Sequence, residues 1–291
     1  MTVTISTIYR YPVKSMGGDT LQRTNLTTNG IPGDRCWTLK DEERGGIKGG
    51  KRFPHLMSMH ATLEQEPDEQ TPSPPVTIRL PDGQQGRSQD NRINQLLSDA
   101  VGAPVSLWPL LPADQLEHYK RPPNPENFDQ KAYFREVFAR TEDEPLPDLS
   151  GFPAELFIYE SSPGTYFDAY PLLLMTNASL EALRATDSDS VFDVQRFRPN
   201  IVLDTQEQGF VENNWVGRRM QLGDAVLTIE AICPRCVMTT HGFADLPKDP
   251  KVMRHLVKHN DGNLGVYASV TTPGRIKTGD AVEWLSAGIR K

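Results

Sequence analysis

Proline and glycine recur so often along this chain that few long helices fit between them. There are 24 prolines and 22 glycines in 291 residues, and each tends to close a segment or force a turn. The stretches between them alternate polar with apolar residues, or run apolar briefly, which is the signature of strands. Strands are expected over residues 3–9, 36–39, 56–63, 76–80, 105–110, 155–159, 171–175, 200–203, 225–232, 264–270 and 281–285.

Helical spacing is confined to a few places. Residues 93–101 form a short amphipathic run, and 131–140 a second. Thr176 or Asn177 can cap a third helix through 183. Asp249-Pro250 opens a fourth, with Val252, Met253, Leu256 and Val257 on its apolar face and Asn260-Asp261-Gly262 at its end. The expectation is an α+β, β-rich fold, closer to barrels than to a βαβ repeat. A first domain is expected over 1–115 and a second over 153–288. A proline-rich, acidic connector over 116–152 is expected to be solvated surface. Residues 40–52, polar and glycine-rich, read as an exposed hairpin tip.

Composition excludes several function classes. The net charge of −7 and pI near 5.4 argue against a general nucleic-acid binder. No apolar run approaches the roughly 20 residues of a membrane helix, and the first residues do not resemble a signal peptide. Three cysteines make a disulfide framework improbable and fit a reducing cytoplasm.

The chemistry concentrates at Cys233-Pro234-Arg235-Cys236. Three readings of this C-x2-C pair compete with simple packing of two small apolar side chains. With His255 and His259 it resembles a zinc pattern, although the gap after Cys236 is longer than usual. A thioredoxin-like dithiol needs a helix after the cysteines, whereas Val237-Met238-Thr239-Thr240 favours a strand. The third reading is a single thiolate, Cys236, favoured by the adjacent Arg235 cation. Cys36 reads as packing.

Other residues suit an anion. Lys14 and Ser15 at a strand end offer charge and a hydroxyl. Arg35 follows a glycine that permits close approach to a ligand. Arg196 and Arg198, two apart, would form one cationic wall if extended. The helix start at Thr176 offers backbone N–H groups, and His241 is a candidate proton carrier. Together they suggest a thiolate ligand beside an anionic, phosphate-bearing cofactor that carries a soft metal.

In order along the chain stand Tyr-Pro-Val-Lys-Ser, Gly-Asp-Arg, Phe-Arg-Pro-Asn-Ile-Val, Gly-Asp-Ala-Val-Leu and Pro-Arg-Cys-Val-Met-Thr-Thr. The set resembles the MOSC-domain family with its N-terminal β-barrel domain. That family includes the mitochondrial amidoxime-reducing components, their bacterial counterparts and the C-terminal domain of molybdenum cofactor sulfurases. The resemblance implies a molybdenum cofactor (Mo-molybdopterin), without pyridoxal phosphate, and Cys236 as the protein's ligand to the metal. It assigns Lys14, Ser15, Arg35, Thr176, Arg198, Asn200 and Arg235 to holding the pterin and its phosphate.

The activity implied is reductive removal of oxygen from small N-hydroxylated compounds: amidoximes, hydroxylamines and N-hydroxylated bases. A non-catalytic cofactor carrier or sulfur-transfer module is the alternative. Relatives often carry an acidic residue two places past the Thr-Thr; this chain has His241-Gly242-Phe243-Ala244-Asp245 after it. With no cysteines for an iron–sulfur domain after Cys236, electrons are expected from a separate haem, flavin or iron–sulfur protein. A cytoplasmic monomer without nucleic-acid or membrane partners is expected.

Overall fold

A computed structural model describes residues 3–286; residues 1, 2 and 287–291, including the outer limits of the expected domains, lie outside the described residues. Its largest element is an eight-stranded sheet. Across it run Val282–Leu285, Arg219–Leu222, Ala225–Pro234, Asn263–Thr272, Leu172–Thr176, Ile201–Asp204, Thr4–Arg10 and Asp19–Leu21. Only Leu172–Thr176 and Ile201–Asp204 pair in parallel, and the Asn177–Arg184 helix lies between them in the chain, as a parallel connection requires. The sheet curls until its ends meet: Val282 N–H donates to the Val3 carbonyl at 2.8 Å and Ile5 N–H to Asp280 at 2.9 Å. Ile5, Ile8, Leu174, Ile201, Leu203, Leu227 and Val266 fill the interior. Each such side chain contributes about 1.5–3 kcal/mol on burial. The β-rich α+β expectation holds.

A second body holds two small sheets. Ile47–Lys48, Trp37–Asp41 and Val105–Pro109 form one, and His60–Leu63, Val76–Arg79 and Gln85–Arg87 the other. The Ile93–Val101 helix packs Ile93 and Leu97 into a core with Val13, Met16, Leu39, Leu56 and Ile78. The two bodies are interleaved. Thr4–Arg10 belongs to the large sheet, and Arg23–Leu26 pairs with Gly274–Lys277. The spans 1–115 and 153–288 therefore share one barrel. The chain passes between the bodies at Tyr11–Gly18 and again at Asn29–Arg35, where Tyr11 N–H donates to Asp34 Oδ1 at 2.7 Å and Arg35 N–H to the Tyr11 carbonyl at 2.7 Å.

Several local expectations change. Residues 56–58 end a 3-10 turn, Pro54–Ser58, because Pro54 starts it, and the strand begins only at His60. Residues 155–158 are a single helical turn instead of a strand. Val237–Thr240 is a 3-10 turn, where a strand was expected: the Thr239 and Thr240 hydroxyls fold back onto the carbonyls of Cys236 and Val237, a local bonding that competes with sheet ladders. The 116–152 connector is partly packed. It carries the Gln130–Val137 helix, capped by Asp129, and buries Tyr119 and Arg140.

Glu212 is the acid most at odds with its surroundings. It is fully buried and accepts hydrogen bonds from the Thr176 hydroxyl, at 2.8 Å, and from Ser179. Burial raises its pKa, against the opposing pull of those hydroxyls. The folded state therefore holds a proton that the unfolded chain releases above the ordinary glutamate range. The resulting stability is full below that range and is lost as pH rises through the raised value. Urea unfolding between pH 5 and pH 8 should show wild type losing more stability than Glu212→Gln; parallel pH curves would refute this.

Candidate functional site

The crossings between the bodies carry the first candidate residues. Ser15 (φ 69°), Arg35 (φ 49°) and Arg198 (φ 54°) all adopt the left-handed region, which side chains other than glycine avoid by about 1–2 kcal/mol each. Tight tertiary bonding holds them there. Lys14 Nζ donates to the Tyr166 carbonyl and to Asp168 Oδ1, both at 2.8 Å. Arg35 pairs with Asp34 and reaches Asn200 Oδ1 at 3.3 Å. The Arg198 guanidinium lies 4.2 Å from the centroid of the Tyr11 ring, and Arg35 5.4 Å from the same ring. Arg198 Nη1 donates to the Met16 carbonyl, while its Nη2 is buried with no partner among the described residues.

Burial and neighbouring charges shift the titration of these groups. Burial lowers the pKa of Arg198 to about 10, with the nearby Arg35 charge adding to the fall. Burial also lowers that of Lys14, against the support of Asp168. For Arg35 burial is outweighed by Asp34 and Asp168, and the pKa rises. Asp168 is held well below the usual carboxylate range: burial works against its charge, but Lys14, Lys51 and Arg35 prevail. Its side chain is still 56% exposed, so it faces a solvent-reached concavity walled by protein. Lys51 stands on the open side of that concavity. Burial opposes its charge, and Cys236 and Asp168 overcome the opposition.

The thiol arrives from the other wall. The Ala225–Pro234 strand shifts register between Ile229 and Ala231 and again between Ile232 and Pro234. Cys233 ends inside, 1% exposed, while Cys236 lies half-buried beside Met57, Met238, Phe243 and Leu246. Arg235 does not turn its hydrogen bonds to Cys236, as its place in sequence suggested. Nη1 donates to Cys233 Sγ at 3.0 Å and Nη2 to the Phe197 carbonyl at 2.6 Å. Burial raises the Cys233 pKa, with Arg235 and Tyr267 pulling the other way. The walls meet where Ser15 Oγ approaches Met238 Sδ at 4.0 Å. A Cβ on Gly49 would stand 2.5 Å from Ser15 Oγ and one on Gly50 2.8 Å from Met238 Cε. Residues 49 and 50 are thus part of the site, not an exposed hairpin tip.

The structure gathers Lys14, Ser15, Arg35 and Arg198 on one wall, which Ser15 joins to Met238, two positions after Cys236. It commits Asn200 and Thr176 differently. Asn200 Oδ1 accepts from Leu173 N–H at 3.2 Å and from Arg35, so it ties strand to cluster. The Thr176 hydroxyl accepts from Ser179 N–H at 3.0 Å and donates to Glu212, whose carboxyl already occupies that helix start. Arg196 and Arg198 do not form one wall. A 3-10 turn over Val194–Arg196 replaces the extended chain and sends the two side chains apart. Arg196, 0% exposed, donates to the carbonyls of Val191 (2.9 Å), Thr239 (3.3 Å), His241 (2.9 Å) and Pro247 (2.7 Å). It clamps the loop that carries Cys236.

His241 is buried, its pKa lowered chiefly by burial, and its Nε2 has no partner among the described residues. His255 bonds Asp187 at 3.2 Å and stacks on His259. Among the described residues no three His, Cys, Asp or Glu side chains form a metal-binding group, so the Cys₂His₂ pattern is not assembled. Asp168, Lys51 and the stacking role of Tyr11 were missed in the sequence. Tyr11 alone had a signal, its place in the Tyr-Pro-Val-Lys-Ser motif.

Comparison with known proteins assigns the class. The MOSC N-terminal beta barrel domain model matches residues 2–96, and the MOSC domain model residues 162–283. The chain belongs to the MOSC-domain family with this N-terminal barrel domain. Among curated relatives, mitochondrial amidoxime reducing component 2 of Bos taurus is 23% identical over 302 residues, covering 96% of this chain and 82% of the relative. The molybdenum cofactor sulfurase of Oryza sativa subsp. japonica is 24% identical over 261 residues, covering 80% of this chain but 28% of that longer protein. Among solved structures, the YUAD protein from Bacillus subtilis aligns with a TM-score of 0.45 at 12% identity, covering 99% of this chain and 97% of that one.

Arg196→Lys keeps the charge and loses the planar fork. With several charge-assisted bonds to buried carbonyls broken, it should destabilise the fold by at least about 2 kcal/mol. Native-state labelling of Cys236 by a thiol reagent should also accelerate severalfold as the loop loosens. Unchanged urea unfolding and an unchanged labelling rate would show that the clamp is dispensable.

Proposed function

We propose that this concavity binds a molybdenum cofactor and that the protein reduces small N-hydroxylated compounds. One observation carries the reading. The half-buried Cys236 thiol follows a wall of Lys14, Arg35 and Arg198 that Ser15 joins to Met238, the cations' nearest counter-charges are Asp34 and Asp168, and Arg198 Nη2 is buried with no partner among the described residues. A buried donor left unsatisfied costs about 1–3 kcal/mol. An anionic group bound beside it would relieve that cost and offset the excess positive charge. The residues present therefore fit a phosphate-bearing pterin cofactor with a thiolate-ligated metal.

In this reading Cys236 is the protein ligand. Lys14, Ser15, Arg198 and Arg35 hold the anionic part, with Asn200 orienting Arg35. Arg235 acts indirectly, fixing Cys233 and the strand end that delivers Cys236. Thr176 acts at most through the fold. The bound group would supply two-electron oxygen-acceptor chemistry. The protein's own share is to hold it with one sulfur and to bury its charge. The names of the relatives, an amidoxime reducing component and a molybdenum cofactor sulfurase, support this reading and its alternative, a non-catalytic cofactor carrier. A separate haem, flavin or iron–sulfur donor, a cytoplasmic setting and a monomeric state complete the proposal. Among the described residues no helix is long and apolar enough to cross a membrane.

The test is metal and pterin analysis of protein from a cofactor-competent host, followed by amidoxime reduction with an artificial electron donor. Molybdenum near one equivalent, lost in Cys236→Ser and kept in Cys233→Ser, is expected. Zinc at one equivalent without molybdenum would overturn both cofactor readings. A loaded sample without turnover would favour the carrier.

A further inference from the structure

The connector builds a groove that the cofactor reading leaves unused. Phe134 and Phe138 from the Gln130–Val137 helix and its C-cap face Leu146, Leu149, Phe152 and Phe157 across a space of about 410 Å³. That volume falls in the range of small-molecule sites, roughly 300–1,000 Å³. Phe157 is 52% exposed at the outer end.

The groove is preformed. Arg135 donates to the carbonyls of Thr141, Glu142 (2.8 Å) and Glu144 (3.0 Å), bracing the loop that forms one wall. Arg254 of the Lys251–Asn260 helix ties the Ala139 carbonyl and the Glu144 carboxylate to the main body. A site braced in this way loses less freedom when it binds a ligand.

At its inner end the groove backs onto the sheet whose Ala225–Pro234 strand delivers Cys236. The Phe152 ring packs edge-on against Tyr267 at 6.1 Å and lies 6.3 Å from Tyr170, and Tyr267 pairs with Ala231, two positions before Cys233. Cys233 lies three positions before Cys236 on the same strand end. The groove-forming stretch, 134–157, also falls between the two family-model matches, 2–96 and 162–283.

We propose that this groove receives the aryl or alkyl arm of the substrate and so selects N-hydroxylated compounds with an extended apolar body. This rests on the reading that Cys236 marks the reaction centre. The aromatic walls supply dispersion and apolar burial, and the N–OH head is left toward the Cys236 concavity.

The test separates binding from turnover. Fluorine NMR would follow 4′-fluorobiphenyl-4-carboxamidoxime binding to the wild-type chain and to Phe157→Ser and Leu149→Ser, with circular dichroism confirming the fold. Steady-state assays would compare that compound with acetamidoxime. Each variant should weaken fluorobiphenyl binding roughly tenfold, as loss of apolar pocket contacts does, and raise its KM with kcat retained. Acetamidoxime kinetics should not change. Unaltered fluorobiphenyl binding in both variants, or equal losses for both substrates, would overturn the groove. Variant-sensitive binding without turnover of either compound by molybdenum-loaded protein would sink the reductase reading and leave the groove standing.

Discussion

The Arg196 guanidinium holds the rest of the site in place. It is wholly buried, with four backbone carbonyls as its hydrogen-bond partners. A buried charge without such partners costs several kcal/mol. Here the carbonyls of Val191, Thr239, His241 and Pro247 satisfy it, and the loop that supplies three of them carries Cys236 at its start. The charge can be buried only if that loop is closed, and closing it fixes where the thiol stands. Arg235 repeats the device one step closer, joining the Cys233 sulfur to the Phe197 carbonyl.

The opposite wall depends on the interleaving of the two bodies. Since Thr4–Arg10 and Arg23–Leu26 belong to the large barrel, the chain must leave and re-enter it at two neighbouring places. Those passages hold Lys14, Ser15 and Arg35, and the start of the Ile201–Asp204 strand brings Arg198 alongside. Cations that would repel each other in the open are held together by Asp34, Asp168 and the Tyr11 ring. Burial depresses the pKa of Arg198, the Arg35 charge adds to the fall, and Arg198 Nη2 is buried with no partner among the described residues. Such a wall suits the charged, thiolate-bound cofactor proposed for it.

Much of this was legible in the sequence. Periodicity located the Ile93–Val101 helix to the residue, and turn chemistry bounded the helix that ends at Asn260 and the αL Asp261. The ordered motifs pointed to the family, and Lys14, Arg35 and Arg198, named from them, do lie around Tyr11 and Asp168. Failures occurred where tertiary bonds override local preference. Val237–Thr240 has β-favouring residues yet turns, as its hydroxyls and Arg196 capture the carbonyls a neighbouring strand would have used. Thr176 looked like a helix start open to an anion, but a glutamate 36 positions on fills it.

The sequence by itself determined the class of fold, the family, and the residue types proposed to bind a cofactor: a cysteine, a lysine and arginines. These follow from turn residues, alternation and motif order, all of which act over short distances along the chain. Only the tertiary structure decided that Arg235 serves Cys233, that Arg196 and Arg198 part company, that Gly49 and Gly50 line the site, and that Asp168 pairs with Lys14. Those outcomes depend on which distant carbonyls and carboxylates are left unpaired when the barrel closes. Hydrogen-bond satisfaction across the closed barrel sets that pairing, and no neighbour in sequence encodes it.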